Sequence, residues 1–361
     1  MRAPVSPASI PELIEIVRAT PRLIAIGSET KPRLSAADAV KVSTAKLSGI
    51  TEYDPSEYTF TALAGTPLRE ITAALRERGQ YLPFDPPLVE AGATLGGTVA
   101  AGLSGPGRFR FGGLRDFILG VKFVDGSAKL LRMGGKVVKN AAGFDLPKFF
   151  VGSMGRFGVL VEMTFKVFPS PPNSLTLKLE AKGIEAATRI LIEAANSRWE
   201  PHALDLPPAG NQVLLNLRGP AAALEPLASE ILARWPGVKL PAAEAESVWT
   251  ELREFRWTHA SGVLIKVPLA PAELPRLRPT LGELGQDVRL HASSGGSVAY
   301  VSMVSETAGS PIDSCLRNLK LHGLTLRGPG PLWQGCPHQS KIALAVKNAL
   351  DPQNRFPALD N

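Results

Sequence analysis

Cysteine is nearly absent from the 361 residues. Cys315 and Cys336 form no C-x-x-C pair and no Cys/His cluster, so a disulfide framework, a structural zinc and an iron–sulfur centre are not expected. The five histidines offer no pair at ligand spacing, so no metal is expected. No run of about eighteen apolar residues exists, so no transmembrane segment is expected. The opening Met1-Arg2-Ala3-Pro4-Val5-Ser6-Pro7-Ala8 has neither an apolar h-region nor a small-residue cleavage site, which leads to an expectation of cytoplasmic residence. Aromatics make up 6% of the chain and do not interleave with the basic residues, so the net charge of +7, spread along the sequence, gives no nucleic-acid motif. Repeats and low-complexity segments are missing too. With 44% hydrophobic residues, a chain of this length buries a large core and divides into two or more lobes.

What the chain does have is glycine in two clusters. The stretch from Ala93 to Pro106 carries Gly96, Gly97, Gly102 and Gly105 among small hydroxyl and apolar residues with no charge. Glycine lets the main chain approach a ligand and take positive φ, and Thr98-Val99-Ala100 then opens a helix whose free N–H groups face an anion, with a pyrophosphate as the natural occupant. A tight turn packed under a sheet is the other reading of such a segment. Gly152-Ser153-Met154-Gly155-Arg156-Phe157-Gly158 repeats the theme and runs into the apolar strand Val159 to Phe168. Its spacing is G-x-x-G-x-x-G, and Gly105-Pro106-Gly107 is followed by Arg110 where a third glycine would stand, so a doubly wound dinucleotide fold is not predicted. Lys31, Arg33, Arg108, Arg110 and Arg115 flank these loops and are candidates to offset a phosphate or attract a carboxylate.

Around the loops the pattern is α+β. Ser9-Ile10-Pro11-Glu12 is a capping box that starts a helix, and Leu23 to Ile26 is a short buried strand leading into Gly27-Ser28-Glu29-Thr30-Lys31. Residues 40–43, 50–53 and 58–63 alternate as strands, and a helix runs from Gly65-Thr66-Pro67 to Arg78 and stops at Gly79. Phe117 to Val124 and Ala128 to Met133 form a hairpin with a tight turn at Asp125-Gly126. Prolines at 169, 171 and 172 mark a boundary. Beyond it, strands (175–180, 213–217, 264–267, 298–304) and helices (184–196, 222–235, 272–284) suggest an antiparallel sheet covered on one side by helices.

Leu82-Pro83-Phe84-Asp85-Pro86-Pro87, the stretch Ala93 to Pro106, Leu114 to Val121, Lys139-Asn140-Ala141-Ala142-Gly143-Phe144-Asp145-Leu146 and Gly152 to Val159 together resemble, in order and spacing, the FAD-binding subunits of bacterial glycolate oxidases. These belong to the vanillyl-alcohol-oxidase-like flavoproteins with a PCMH-type FAD-binding domain. The resemblance is dense over residues 1–169. It implies a fold in which two small α+β subdomains hold FAD and an antiparallel-sheet-plus-helices cap covers the flavin, with residues 1–169 as the FAD domain, 170–345 as the cap and 346–361 as a tail returning to the FAD domain. It implies FAD contacts at Gly27, Ser28, Glu29, Thr30, Lys31, Pro86, Ala93, Thr94, Gly96, Gly97, Thr98, Ser104, Gly143, Gly152, Ser153, Gly155, Gly158 and Val159. No histidine or cysteine in the first loop offers a covalent flavin bond, so the FAD is expected to be non-covalent.

The sequence departs from the family at two places. Relatives carry consecutive glycines where this chain has Ser28 and Glu29, and an anionic Glu29 weakens cofactor binding unless its side chain points to solvent. The closing Asp351-Pro352-Gln353-Asn354-Arg355-Phe356-Pro357 lacks the family's Asn and final Gly. The activity implied is hydride removal from a small 2-hydroxy acid, with electrons passed to a second flavin subunit and an iron–sulfur subunit at the membrane. Arg253 and His259, in a Trp-x-x-x-Arg segment, are the best substrate-side candidates, and the catalytic residues themselves stay unassigned. A non-catalytic scaffold and a stand-alone oxidoreductase on another hydroxy acid or an enolpyruvyl sugar are the alternatives.

Overall fold

The computed structural model describes residues 3–135, 145–285, 287–304, 310–336 and 340–360. By contact the chain divides into one unit of Met1–Ser104, Gly113–Ser170 and Gln339–Asn361 and another of Gly105–Gly112 and Pro171–His338.

The first unit opens with α1 (Ile10–Ala19), whose Ser9 cap accepts from the Glu12 amide while Glu12 takes the Ala8 amide, the two halves of a capping box. Leu13 and Val17 form its buried face. Strands β1 (Leu23–Ile26) and β2 (Val40–Ser43) pair in parallel. Then come β3 (Ile50–Asp54), β4 (Thr59–Leu63), α2 (Leu68–Glu77), the short β5 (Gln80–Tyr81) and α3 (Leu95–Ala101). A short helix α4 (Arg108–Phe111) lies in the segment that joins the other unit. Back in the first unit are β6 (Ile118–Val124), β7 (Leu130–Gly134), α5 (Leu146–Phe149), β8 (Val159–Lys166) and β9 (Phe168–Pro169). An antiparallel sheet runs β3-β4-β8-β6-β7. Its alternating apolar residues meet α1 and the parallel pair in a core of Leu13, Val17, Leu23, Val42, Val124, Val159 and Val161.

The expected tight turn at Asp125-Gly126 is instead a five-residue loop, since Val124 pairs with Leu130. The Asp125 carboxylate accepts from the amides of Ser127 and Lys129 at 2.9 and 2.8 Å and closes the loop. Gly126 is there for the tail: its amide donates to Leu350 O at 2.8 Å, and a Cβ would lie 2.2 Å from Asp351 Oδ1.

The second unit holds β10 (Asn173–Glu180), α6 (Ile184–Ala195), β11 (Ala203–Asp205), β12 (Gln212–Gly219), α7 (Ala221–Arg234), β13 (Gly237–Lys239), α8 (Ala242–Arg253), β14 (Val263–Pro268), α9 (Leu274–Gly282), β15 (Arg289–Ser293), β16 (Val298–Met303), α10 (Ser310–Asn318), β17 (His322–Arg327) and β18 (Trp333–Gly335). In place of one sheet there are two, β11-β12-β10-β13 and β15-β16-β14-β17-β18, both antiparallel. They meet where Leu206 and Ala292 exchange both backbone bonds at 2.7 and 3.0 Å. A single core of β-strand valines and leucines with the inner faces of α6, α7 and α9 spans both. The segment 105–112 is fixed to this unit by Phe109, whose ring occupies the space a Cβ on Gly295 would need, and by the Arg110–Glu200 ion pair at 2.7 Å.

The tail returns to the first unit as α11 (Lys341–Leu350). Lys347 Nζ donates to Asp351 Oδ2 at 2.5 Å, to Arg156 O at 2.8 Å and to Phe356 O at 2.9 Å. Asp351 also takes the amides of Arg355 and Phe356. The pair is 5% and 0% exposed. Removing one member of such a pair strands a charge in the interior. Asp351→Ala is expected to cost about 3–5 kcal/mol and to lower Tm by on the order of 10 °C, read by thermal denaturation of the full chain; an unchanged Tm refutes the role given to the pair.

Candidate functional site

Three backbone segments of the first unit meet at one cavity. Its lining takes Ala25 to Lys31 from the end of β1 and the following loop, Leu34 and Ser35 from the next turn, Thr94, Gly97, Ala100 and Ala101 from α3, and Met154 from the second glycine cluster. The volume is about 60 Å³, room for a few waters or a phosphate-sized group. The amides of Ser28, Glu29 and Thr30 donate to no other protein atom among the described residues. Lys31 is buried, with Nζ donating to Thr30 Oγ1 at 2.8 Å.

The helix at the centre differs from expectation. It begins at Leu95, not Thr98, and its first amides are already used: Leu95 N donates to Thr66 O, Gly96 N to Ala64 O at 2.8 Å, and Gly97 N to the Thr94 cap at 3.3 Å. Gly96 and Gly97 are helical rather than left-handed. Gly96 is required by approach, since a Cβ would sit 2.8 Å from Ala64 Cβ. Gly27 is required for the same reason, with a Cβ only 2.3 Å from Thr94 Oγ1. The amides left without a protein acceptor among the described residues thus belong to the first loop, and α3 serves as its backing.

The second glycine cluster docks on the other end of α3. Gly152 N donates to Val99 O at 2.9 Å and Met154 N to Ala100 O at 2.8 Å. Gly152, Met154 and Gly155 all have positive φ, and a Cβ on Gly102 would meet Gly152 at 3.0 Å. Arg156, which sequence reasoning did not single out, is fully buried and donates to Leu34 O at 2.6 Å and to Met154 O. It ties two walls of the cavity together. Burial, and then Arg33 beside it, push its pKa down to about 10, so it remains a cation at neutral pH.

Glu29 lines the cavity with φ +52°. Its Oε1 is held by Lys41 Nζ and lies 3.4 Å from Ser35 Oγ. Lys41 is a second residue that the sequence did not mark.

The remaining candidates lie behind the lining. Ala93 is engaged through both backbone groups, with Leu88 and Leu68. Ser104 Oγ accepts from Leu114 N at 3.0 Å. Pro86 follows the left-handed Asp85, Gly158 presses on Val124 O, and Val159 starts β8. Thr98 Oγ1 and Ser153 Oγ are buried with no hydrogen-bond partner among the described residues. Gly143 lies outside the described residues. Arg108 and Arg110 are in the second unit, and Arg115 is exposed. Of the substrate-side candidates, Arg253 contacts Glu246 and Thr250, and His259 Nε2 meets Asp287 O at 2.8 Å.

A diphosphate fits these residues: a small cavity with donating amides, a buried lysine, a nearby buried guanidinium and two orphaned hydroxyls behind its wall. Comparison with known proteins agrees. Residues 1–134 match the family model described as FAD binding domain, and the cofactor this match supports is FAD. The chain is homologous to glycolate oxidase subunit GlcE of Escherichia coli (strain K12), 50% identical over 142 residues that are 39% of this chain and 41% of the relative. Glycolate oxidase subunit GlcD of Bacillus subtilis (strain 168) is 30% identical over 156 residues, 43% of this chain and 33% of the relative. The chain thus spans less than half of each of these two relatives. The fold is that of p-cresol methylhydroxylase, solved with substrate bound, at TM-score 0.73 and 14% identity over 97% of this chain and 86% of that one. No helix among the described residues is long and apolar enough to cross a membrane.

Gly27→Ala forces Thr94 out of its capping position or moves the loop. It is expected to cost about 1–3 kcal/mol of stability and to release bound FAD, read by flavin retained after gel filtration. Gly282→Ala, where a Cβ meets nothing within 4 Å, is the control expected to change neither; full retention of flavin by the Gly27 variant refutes the close-approach role.

Proposed function

We propose that the chain is the FAD-binding subunit of a glycolate-oxidase-type complex that oxidises a small 2-hydroxy acid in the cytoplasm, working with a second flavin subunit and an iron–sulfur subunit that makes any membrane contact. The observation that carries this reading is the convergence of residues 27–31, 94–101 and 154 on one phosphate-sized cavity backed by cations. When bound, FAD would accept the hydride. Residues of the chain would supply the rest: the amides of Ser28 to Thr30 and the Lys31 ammonium grip the diphosphate, and Arg156 fixes the walls that present them.

In the second unit burial, and then the charge of Arg108, push the Lys266 pKa down to about 8. Two adjacent cations suit a substrate carboxylate. The Lys266 ammonium is charged below that value and neutral above it, so carboxylate binding is expected to weaken as pH rises through about 8.

The purified chain is expected to be yellow, to release FAD on acid treatment and to bleach with glycolate when its partner subunits are present. A protein that stays colourless after incubation with FAD supports the scaffold reading instead, and turnover without partners supports a stand-alone enzyme. Lys266→Met is expected to raise KM for the hydroxy acid on the order of tenfold and to abolish the weakening near pH 8; a variant with an unchanged KM and pH profile rules out the carboxylate role.

A further inference from the structure

We propose that Lys41 is a positioning residue for the cofactor, the counter-charge that makes a glutamate tolerable in a diphosphate loop; the inference rests on the FAD reading above. Glu29 stands in the middle of the loop that lines the cavity, at φ +52°, a conformation that glycine takes freely and L side chains rarely adopt. Left alone, its carboxylate would repel a dianionic diphosphate across a few ångströms of partly desolvated space.

Lys41 removes that repulsion. Its Nζ sits on Glu29 Oε1, and Ser35 Oγ reaches the same oxygen at 3.4 Å, so the carboxylate is gripped from two sides. The lysine does not depend on the loop for its own place. It lies on β2, opposite Ile24 of β1, and its carbonyl accepts from Val5 N at 2.9 Å. The two side chains are 27% and 32% exposed, enough burial for the charges to be incompletely screened. The arithmetic is simple: Lys31, Lys41 and Glu29 together carry one net positive charge, and without Lys41 the loop is neutral.

The test is titration of the flavin-stripped full chain with FAD, followed by quenching of flavin fluorescence. Lys41→Met is expected to weaken binding on the order of tenfold, whereas Lys41→Arg, which keeps the charge, stays near wild type. Glu29→Gln is expected to bind at least as tightly as wild type, and the double variant E29Q/K41M to recover the affinity lost in K41M. That recovery, together with a Tm of K41M that stays near wild type, separates charge compensation at the diphosphate from a general structural role. Wild-type affinity in K41M, failure of E29Q to rescue it, or weaker binding in E29Q alone overturns the proposal. A wild-type chain that takes up no FAD overturns the flavin reading and this one with it, whereas wild-type binding without rescue overturns this one only.

Discussion

Everything in the cofactor half leans on α3, a seven-residue helix clamped at both ends by backbone hydrogen bonds. A helix that short does not persist by itself in water. Its first amides are taken by Ala64, Thr66 and the Thr94 side chain, and the carbonyls of Val99 and Ala100 by the amides of Gly152 and Met154. The clamps hold only because Gly96 and Gly102 leave no Cβ between the approaching chains, while Gly152 takes the positive φ of its turn. With its orphan groups satisfied by protein, the helix has little dipole left to offer a phosphate. The donors that remain available among the described residues are those of the neighbouring loop, where Lys31 stands and Lys41 reaches Glu29.

A continuous chain of bonds links this clamp to the C-terminus. Arg156 joins Leu34 to Met154, its own carbonyl accepts from Lys347, and Lys347 holds Asp351 and Phe356. Arg355 then reaches Thr20 at the end of α1 and Gly126 in the β6–β7 loop. The Arg156 bonds to Leu34 and Met154 are to carbonyls, which orient the guanidinium without cancelling its charge. A tail lacking the family's Asn and Gly thus still acts on the cavity through the backbone it braces.

Local signals were legible and long-range ones were not. Ser9-Ile10-Pro11-Glu12 places α1 because a capping box is complete within four residues. The gathering of the glycine loops was readable from composition, yet the reason for Gly96 and Gly97 was not. Positive φ and close approach both select glycine, and only the positions of Ala64, against Gly96, and of the Thr94 hydroxyl, against Gly97, decide between them. Lys41 and Arg156 escaped notice because their partners, Glu29 and Leu34, are distant in sequence and their motifs are unremarkable. Helix α8 was missed for a related reason. It starts after Pro241 with no capping side chain, and what fixes it is tertiary: Trp249 Nε1 donates to Thr176 Oγ1 at 3.0 Å. The two sheets of the second unit meet at the bridge between Leu206 and Ala292, which no periodicity announces.

The two units are held together by different physics. In the first, the cavity wall depends on close backbone approach, with Gly27 and Gly96 leaving no room for a Cβ. The second is built on side chains. The fully buried Asp205 takes His291 Nε2 at 2.8 Å, Ser293 Oγ at 3.1 Å and Ser294 N at 2.9 Å, with Trp257 edge-on to the imidazole. Burial also pushes the Tyr300 phenol up, keeping it neutral. Such a set can be re-tuned by single substitutions while the sheets that carry it stay put. The family match ends at residue 134, yet the fold likeness runs over 97% of the chain at 14% identity. A shared scaffold at that distance fixes the fold and not the substrate.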